Sequence, residues 1–490
     1  MNVTILPEPE LEFGNGGRHI DIRFGLANYG PLDGARRVQR GPLTLGVVGT
    51  PACIADLTHW LERCRNGIPA RQSKQPTLFP SFPGCGPEGA IPTPLLLSPR
   101  LTRPIPEREF TRLTASSDVG AVVRETVDLF MGELAYLAEN TQAEVLMCAL
   151  PPLLLDYLAG ETTSAEGDAD NEAGSDTSED GGAGGMPDLH DLLKARAMRL
   201  RLPTQLIRPD TYGHGGGRAS KGGRGRAIRL QDEATRAWNL HMALYYKAGG
   251  VPWRLVRDPA ALSTCYVGIR FYRTTDGSAL RTAMAQVFNE RGEGVVVRGG
   301  AARMSSDDRQ PHLDEAGAHR LLLLALDQYR SMHHTMPARV VLHKSSLYSP
   351  GERSGFENAL GERAIHTFDL ITIGPSSARL FRGGSYPPLR GTLLTLDAAS
   401  QVLYTQGSVE FYATYPGMYV PQPLLIRSAH AEQAPREIAR EVLELSKMNW
   451  NRTQFDGGDP ITLWAAGKVG RVLRYLEDGE RVEPHYRYYM

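Results

Sequence analysis

The residues with the clearest capacity for chemistry are two lysines, a histidine and a glutamine. His190 and Lys194 stand four apart, so on a helix they share one face. Gln205 sits eleven residues beyond Lys194 in a short strand pattern, and Lys247 lies in the last turn of a later helix pattern. In a Rossmann-like half, strand ends and helix ends converge around one point, and two cations with an amide suit a terminal phosphate there. The same spacing also describes a solvated helix face, because i,i+4 cations usually point to water and a single Gln carries no signature.

Other signals are weaker. The loop Gly213–Arg226 is rich in Gly and Arg but lacks the GxxxxGK[ST] order of a nucleotide-hydrolysing P-loop. Its arginines fit a phosphate-contacting loop or a plain solvated one equally well. His312, His319, His333 and His334 read as surface histidines, since adjacent histidines on a helix face different ways. Ser345 and Ser346 follow a strand pattern without a GxSxG elbow.

The elements that must position these residues are legible in part. Apolar residues at helical spacing predict helices over Pro51–Arg65, Val119–Asn140, Asp188–Leu200 and Asp232–Ala248, the last stopped by Gly249-Gly250-Val251-Pro252. Ala143–Leu150 and Thr204–Ile207 read as strands of a βαβ unit. From Ser263 the predicted order is strands Cys265–Tyr272 and Gly294–Arg298, helix Leu313–Met332, strand Arg339–His343, helix Gly351–Leu360, strand Thr367–Ile373, a strand pair across Gly391–Phe411 and helix Pro435–Lys447. Neighbouring strands followed by alternating helices and strands give a mixed α/β sheet covered on both faces, the order of a ribonuclease H-like fold. The expected organisation is an extended N-terminal segment over 1–110, a Rossmann-like domain over 111–258 and a ribonuclease H-like domain over 259–490.

Charge narrows the class of partner. The 490 residues hold 54 Lys plus Arg against 55 Asp plus Glu, a net of -1. Eight of those acids fall in Glu161–Asp180, within a stretch (159–187) almost devoid of apolar groups and expected to be a disordered acidic insertion. Between Lys194 and Arg257 there are fourteen Lys or Arg and only Asp210, Asp232 and Glu233, which points to a polyanionic partner. Five cysteines without a CxxC pair indicate neither a disulfide framework nor a structural zinc site. No uncharged apolar run approaches membrane length and the N-terminus lacks a signal-peptide pattern, so a cytoplasmic location is expected.

The ordered motifs resemble a known family. His190-x-x-x-Lys194, then Gln205, then Lys247-Ala-Gly-Gly-Val-Pro-Trp253 are similar to the MID domain of prokaryotic Argonautes. Tyr266-Val-Gly-Ile-Arg-Phe271, Arg339-Val-Val-Leu-His-Lys-Ser345, Phe368-Asp-Leu-Ile-Thr-Ile373, Lys447-Met-Asn-Trp-Asn-Arg-Thr453 and Pro460-Ile-Thr-Leu-Trp-Ala-Ala-Gly-Lys468 resemble the matching PIWI domain. The opening residues through His19-Ile-Asp-Ile-Arg-Phe24 resemble short prokaryotic Argonautes, which lack a PAZ domain.

The resemblance implies that His190, Lys194, Gln205 and Lys247 hold the 5'-phosphate of a guide strand, expected to be RNA that pairs with single-stranded DNA. It also implies Mg²⁺ at that phosphate, touched by the C-terminal carboxylate of Met490. In the family's two-metal nuclease site an Asp follows Gly-Ile in the first strand, a second Asp ends the central strand, and a last ligand lies in the final helix. Here those positions carry Arg270, Ser345 and Gly467. A guanidinium about 4 Å from a divalent ion repels it, at ~4 kcal/mol per unit-charge pair in an effective dielectric of ~20. No slicing is therefore expected, and Asp276, Glu290, Glu293 and Glu352 read as surface carboxylates rather than replacements.

A guided protein that does not cut implies an output elsewhere. The resemblance places it in an associated protein with an APAZ region fused to a TIR, sirtuin-like or nuclease effector, acting in prokaryotic defence against plasmids or phage. The Pro-rich N-terminal arms are the surface expected to meet it. The rival expectation is a self-sufficient ribonuclease H-like guided endonuclease.

Overall fold

A computed structural model describes residues 2–490 apart from 88, 163–186, 214–229, 257, 259, 288–293, 382, 384–386, 418–419, 455–456 and 478. Most of the acidic stretch, most of the Gly/Arg loop, Glu290 and Glu293 thus lie outside the described residues.

Two α/β units make up the chain. The first has a parallel sheet in the order Leu95–Leu96, Leu43–Gly49, Val145–Ala149, Thr204–Ile207, with Thr102–Pro104 also pairing Leu43–Gly49. Alternation sorts its side chains between two cores. Leu45, Val47, Val145 and Met147 pack with helices Pro51–Arg65 and Glu233–Lys247, whereas Val48, Leu146 and Cys148 pack with helices Val119–Asn140 and Leu189–Ala197. Helices on both faces of a parallel sheet are the Rossmann-like arrangement expected from the sequence.

The second unit is a ten-stranded mixed sheet. At its centre Thr264–Arg273, Arg339–Lys344 and Thr367–Pro375 run parallel, and antiparallel strands extend both edges. Val340 and Leu342 face helices Glu315–His333 and Pro350–Glu362, while Val341 faces the core formed with helix Pro435–Leu445. Helix Ile461–Leu473 crosses the sheet on that second side and comes so near that a Cβ on Gly268 would sit 2.1 Å from the Thr462 carbonyl oxygen. Only glycine permits that crossing. The mixed α/β sheet with two helical layers agrees with the expected ribonuclease H-like order.

The structure departs from the sequence reading in the N-terminal segment. Leu43–Gly49 is the central strand of the first sheet rather than part of an arm, so that sheet draws on residues within 1–110. A strand buried on both faces reads as a plain apolar run without alternation, here LTLGVVG, and the Pro/Gly-rich stretch after it masks it. The first residues do extend as an arm: Asn2–Ile5 pairs Thr392–Thr395 at the edge of the large sheet. Strands Leu280–Val287 and Leu424–His430 had no distinct signal in the sequence. The five cysteines are free and buried, and no helix among the described residues is long and apolar enough to cross a membrane.

Candidate nucleic-acid interface

Helix Leu189–Ala197 begins at Asp188, whose carboxylate accepts from the Asp191 amide, and its second turn carries Lys194 inward. Lys194 is almost fully buried, and its ammonium donates to the carbonyl of Thr204 and the main-chain oxygen of Met490. Lys247, equally buried at the end of helix Glu233–Lys247, donates to the same Thr204 carbonyl at 3.2 Å and to Gln205 Oε1. The Gln205 amide nitrogen in turn donates to the Leu206 carbonyl at 2.8 Å. Lys194, Gln205, Lys247 and Met490 therefore meet around the first residue of strand Thr204–Ile207.

His190 stands one turn earlier, partly exposed, with Nδ1 2.8 Å from Asp191 Oδ1. The structure brings three of the four expected side chains together with Met490 and leaves His190 bonded to a carboxylate instead.

Two ammonium groups converge on the Thr204 carbonyl, and Lys194 also reaches the main-chain oxygen of Met490, the last residue. Burial lowers the Lys194 pKa to about 8, the weaker influences of Cys148, Lys247 and Asp191 opposing that shift. A buried cation held by carbonyl oxygens is poised for an anion, because charge-assisted bonds to phosphate are stronger than those to a neutral oxygen.

Asp188 and Asp191 carried no signal in the sequence. Their carboxylates and the His190 ring offer ligand atoms within 4.8 Å of one another, a set able to hold a cation. Burial pushes the Asp191 carboxyl up, but the His190 hydrogen bond and the charges of His190, Arg471 and Lys468 bring it below its ordinary value. Arg471 Nε lies 3.6 Å from Asp191 Oδ2, so a protein cation already faces this carboxylate.

Arg270, Ser345 and Gly467 also converge, as strand and helix crossing require. The Ser345 amide donates to the Ile269 carbonyl at 3.3 Å, and a Cβ on Gly467 would lie 3.4 Å from Arg270 Cδ and Nη1. Arg270 Nη2 is 2.6 Å from Asp459 Oδ2, just before helix Ile461–Leu473. The space beside the strand end thus holds an arginine-carboxylate pair, and Asp459 was not singled out from the sequence.

Two expectations for nearby residues need correction. Glu352 is not a surface group: it is fully buried, capping helix Pro350–Glu362 through Ser349 while contacting Lys344 and the Leu313 amide. His312 is mostly buried, with Nδ1 2.9 Å from Glu352 Oε2 and Nε2 2.9 Å from Asp308 Oδ2. Both lie where the central strand turns back into the helical layer, and burial lowers the Lys344 pKa to about 8 against the pull of Glu352. Asp276 lies in an exposed turn, its carboxyl lowered to about 2 by hydrogen bonds from Ser278 and Thr274.

The two units are stitched through the quoted motifs. Trp253 Nε1 donates to the Lys447 carbonyl at 3.1 Å, Trp450 Nε1 to the Trp253 carbonyl at 3.2 Å, and the Tyr246 hydroxyl to Asn451 Oδ1 at 2.9 Å. Lys447 reaches the other way, to Glu8 at 3.0 Å, and Arg390 Nε reaches the same carboxylate at 3.0 Å. The stretch that ends in Trp253 is therefore bonded to the segment 447–451 that follows helix Pro435–Leu445.

No protein-family model matches the chain, and no curated protein matches it. Solved structures do. Clostridium butyricum Argonaute bound to a guide DNA with a 5' deoxycytidine and a 19-mer target DNA superposes with a TM-score of 0.64 at 15% identity, covering 98% of this chain and 53% of that one. Drosophila Piwi gives 0.57 at 13% identity over 96% of this chain and 54% of its own. A. aeolicus Argonaute gives 0.57 at 13%, over 97% and 53%. The chain thus spans about half the length of each of these proteins, and over that span it has the Argonaute and Piwi fold.

Proposed function

We propose that the chain binds the 5'-phosphate of a guide RNA, uses the guide to recognise complementary single-stranded DNA without cutting it, and signals to an associated APAZ-effector protein. The observation that carries this reading is the meeting of Lys194, Lys247 and Gln205 around Thr204. A terminal phosphate is close to a dianion at neutral pH. It neutralises both lysines, and Gln205 has both a donor and an acceptor to offer it. Lys194 then becomes a stronger base, since a nearby negative charge favours its protonated form. His190, at the opening of the same helix, reaches the phosphate by leaving Asp191.

Mg²⁺ at the phosphate belongs to the same reading. The oxygens able to hold it are those of Met490, Asp188 and Asp191, and a hard cation prefers oxygen. When bound it adds positive charge beside the phosphate. Base pairing supplies sequence recognition, while the protein reads the strand's backbone.

The Arg270-Asp459 pair supports a role without slicing, because it places a cation where a two-metal site needs carboxylates. The output then rests with the partner, an NAD-consuming TIR or sirtuin-like enzyme or a nuclease, acting in the bacterial or archaeal cytoplasm against plasmids or phage. The decisive experiment compares binding of 5'-phosphorylated and 5'-hydroxyl RNA by the parent chain and by K194A/K247A. The phosphate preference is expected in the parent and absent in the variant; a preference that survives both substitutions overturns the pocket.

A further inference from the structure

Arg23, near the start of helix Ile22–Tyr29, carries a charge into the interior that no hydrogen bond meets. The side chain is 1% exposed, and its Nε, Nη1 and Nη2 are all buried without an acceptor. Asp21 is within ion-pair reach, but its Oδ2 lies 3.9 Å from Nη2, too far for a hydrogen bond. That carboxylate is engaged elsewhere: Oδ1 caps the helix by accepting from the Phe24 amide at 2.9 Å, and Oδ2 accepts from the Tyr412 hydroxyl. The Tyr412 hydroxyl faces the guanidinium as well, yet burial and then the Asp21 charge push its pKa up, so it brings no negative charge.

The bonds around it join more cations than carboxylates. Lys447 donates to the Ile20 carbonyl, next to Asp21, and to Glu8, and Arg390 holds the same Glu8 carboxylate. Arg23, Lys447 and Arg390 are all buried, against Glu8 and Asp21, so one positive charge in this set is left over in the interior. A buried charge without a counter-charge is costly. The helix dipole adds to the same sign, because the guanidinium folds back to the cap residue at the positive end of the helix. Phe24 and Phe411, which follow Arg23 and precede Tyr412, meet edge to face with ring centroids 5.3 Å apart and hold the two segments together. A water molecule there satisfies the donors and leaves the charge. A carboxylate or phosphate on another macromolecule cannot reach a side chain so deeply covered. A monatomic anion supplies one charge and accepts from any direction.

We propose that Arg23, at the positive end of helix Ile22–Tyr29, binds a halide ion, chloride in ordinary solution, which ties the N-terminal segment to the turn Glu410–Tyr412 of the second unit. The ion completes the charge balance of Arg23, Lys447 and Arg390 with Glu8 and Asp21. This site stands apart from the terminal-phosphate pocket and holds whether or not a guide is bound there.

The test uses the full chain in two measurements. Crystals grown with bromide in place of chloride are expected to show an anomalous-scattering peak beside the Arg23 guanidinium; no peak there overturns the site. In solution, the melting temperature is followed as gluconate is replaced by chloride at constant ionic strength. The parent should gain about 1 °C for each tenfold of chloride above the dissociation constant, the shift that linkage gives for a chain of this size. R23Q removes the charge and should lose that response. Should R23Q fail to fold, Y412F carries the comparison: with no hydroxyl on Oδ2, Asp21 is free to pair with Arg23, and the chloride response should shrink in a folded chain. A parent that melts alike in gluconate and chloride overturns the ion and leaves water as the occupant. An equal chloride response in parent and R23Q, or an undiminished one in Y412F, overturns it as well.

Discussion

Arg270 and Gly467 are in contact: the guanidinium arm of the first passes 3.4 Å from the position a Cβ on the second would take, an ordinary packing distance. One residue is on the central strand Thr264–Arg273 of the large sheet and the other is nearly two hundred residues later in a helix that crosses it. Asp459 holds the guanidinium, Nη2 to Oδ2 at 2.6 Å.

It follows that guide and labelled complementary DNA, incubated with the protein and Mg²⁺ or Mn²⁺, should leave the DNA at full length. R270A should behave alike, since removing the cation restores no carboxylate at 345 or 467. A cut product from the parent would sink the non-slicing reading.

Lys194 gives the second prediction. Its folded pKa of about 8 lies below the unfolded value of about 10.5. The charged form is therefore disfavoured by folding, and the cost to stability grows as pH falls from about 10.5 to about 8 and is constant below. Phosphate binding has the opposite demand, because it needs the ammonium. The 5'-phosphate preference should fall as pH rises from 7 through 9, and K194R should flatten that profile. K194M should raise the melting temperature at pH 7 while abolishing the preference; a lowered melting temperature would show that the carbonyl contacts outweigh the burial of charge.

Lys344 and Glu352 are both fully buried and 2.9 Å apart. Removing one partner strands the other, a loss of about 3–5 kcal/mol. E352A should therefore lower the urea midpoint sharply, and K344M/E352L should recover much of that loss. Additive losses in the double variant would contradict the coupling. S349A, which removes only the cap of the same helix, should cost about 1 kcal/mol.

Glu8 anchors the N-terminal arm between Arg390 and Lys447. Burial raises its carboxyl pKa, but the two cations and their hydrogen bonds bring it below the ordinary value. Its contribution to stability is present above about pH 4.5 and is lost as pH falls through the lower folded value. E8Q should destabilise the fold at pH 7, by about 3 kcal/mol, and flatten the acid branch of the stability profile. An acid branch identical in E8Q and parent would show that Glu8 titrates alike in the folded and unfolded chain, and would contradict the anchoring.

The helices that position the terminal-phosphate pocket were legible because each has an apolar stripe and its own stop: Leu189–Ala197 and Glu233–Lys247 fall within a few residues of the bounds read from spacing alone. The central strand Arg339–Lys344 was legible as an unbroken apolar run after an arginine. The partners of the pocket were not. The family resemblance set Met490 near the phosphate, but its direct bond from Lys194, and the meeting of Asp191 with Arg471, depend on how a helix lies against segments hundreds of residues away.

Spacing and residue type alone determined the α/β class, the order of the two units and the basic stretch, while the family resemblance singled out Arg270, Ser345 and Gly467. Tertiary packing decided the rest: that Leu43–Gly49 enters the first sheet, that His190 bonds Asp191 rather than joining the lysines, and that Glu352 is buried against Lys344. The reason is physical. Periodicity is a local property that a chain carries in each segment, whereas charge compensation is settled between surfaces that touch only after the whole chain has folded.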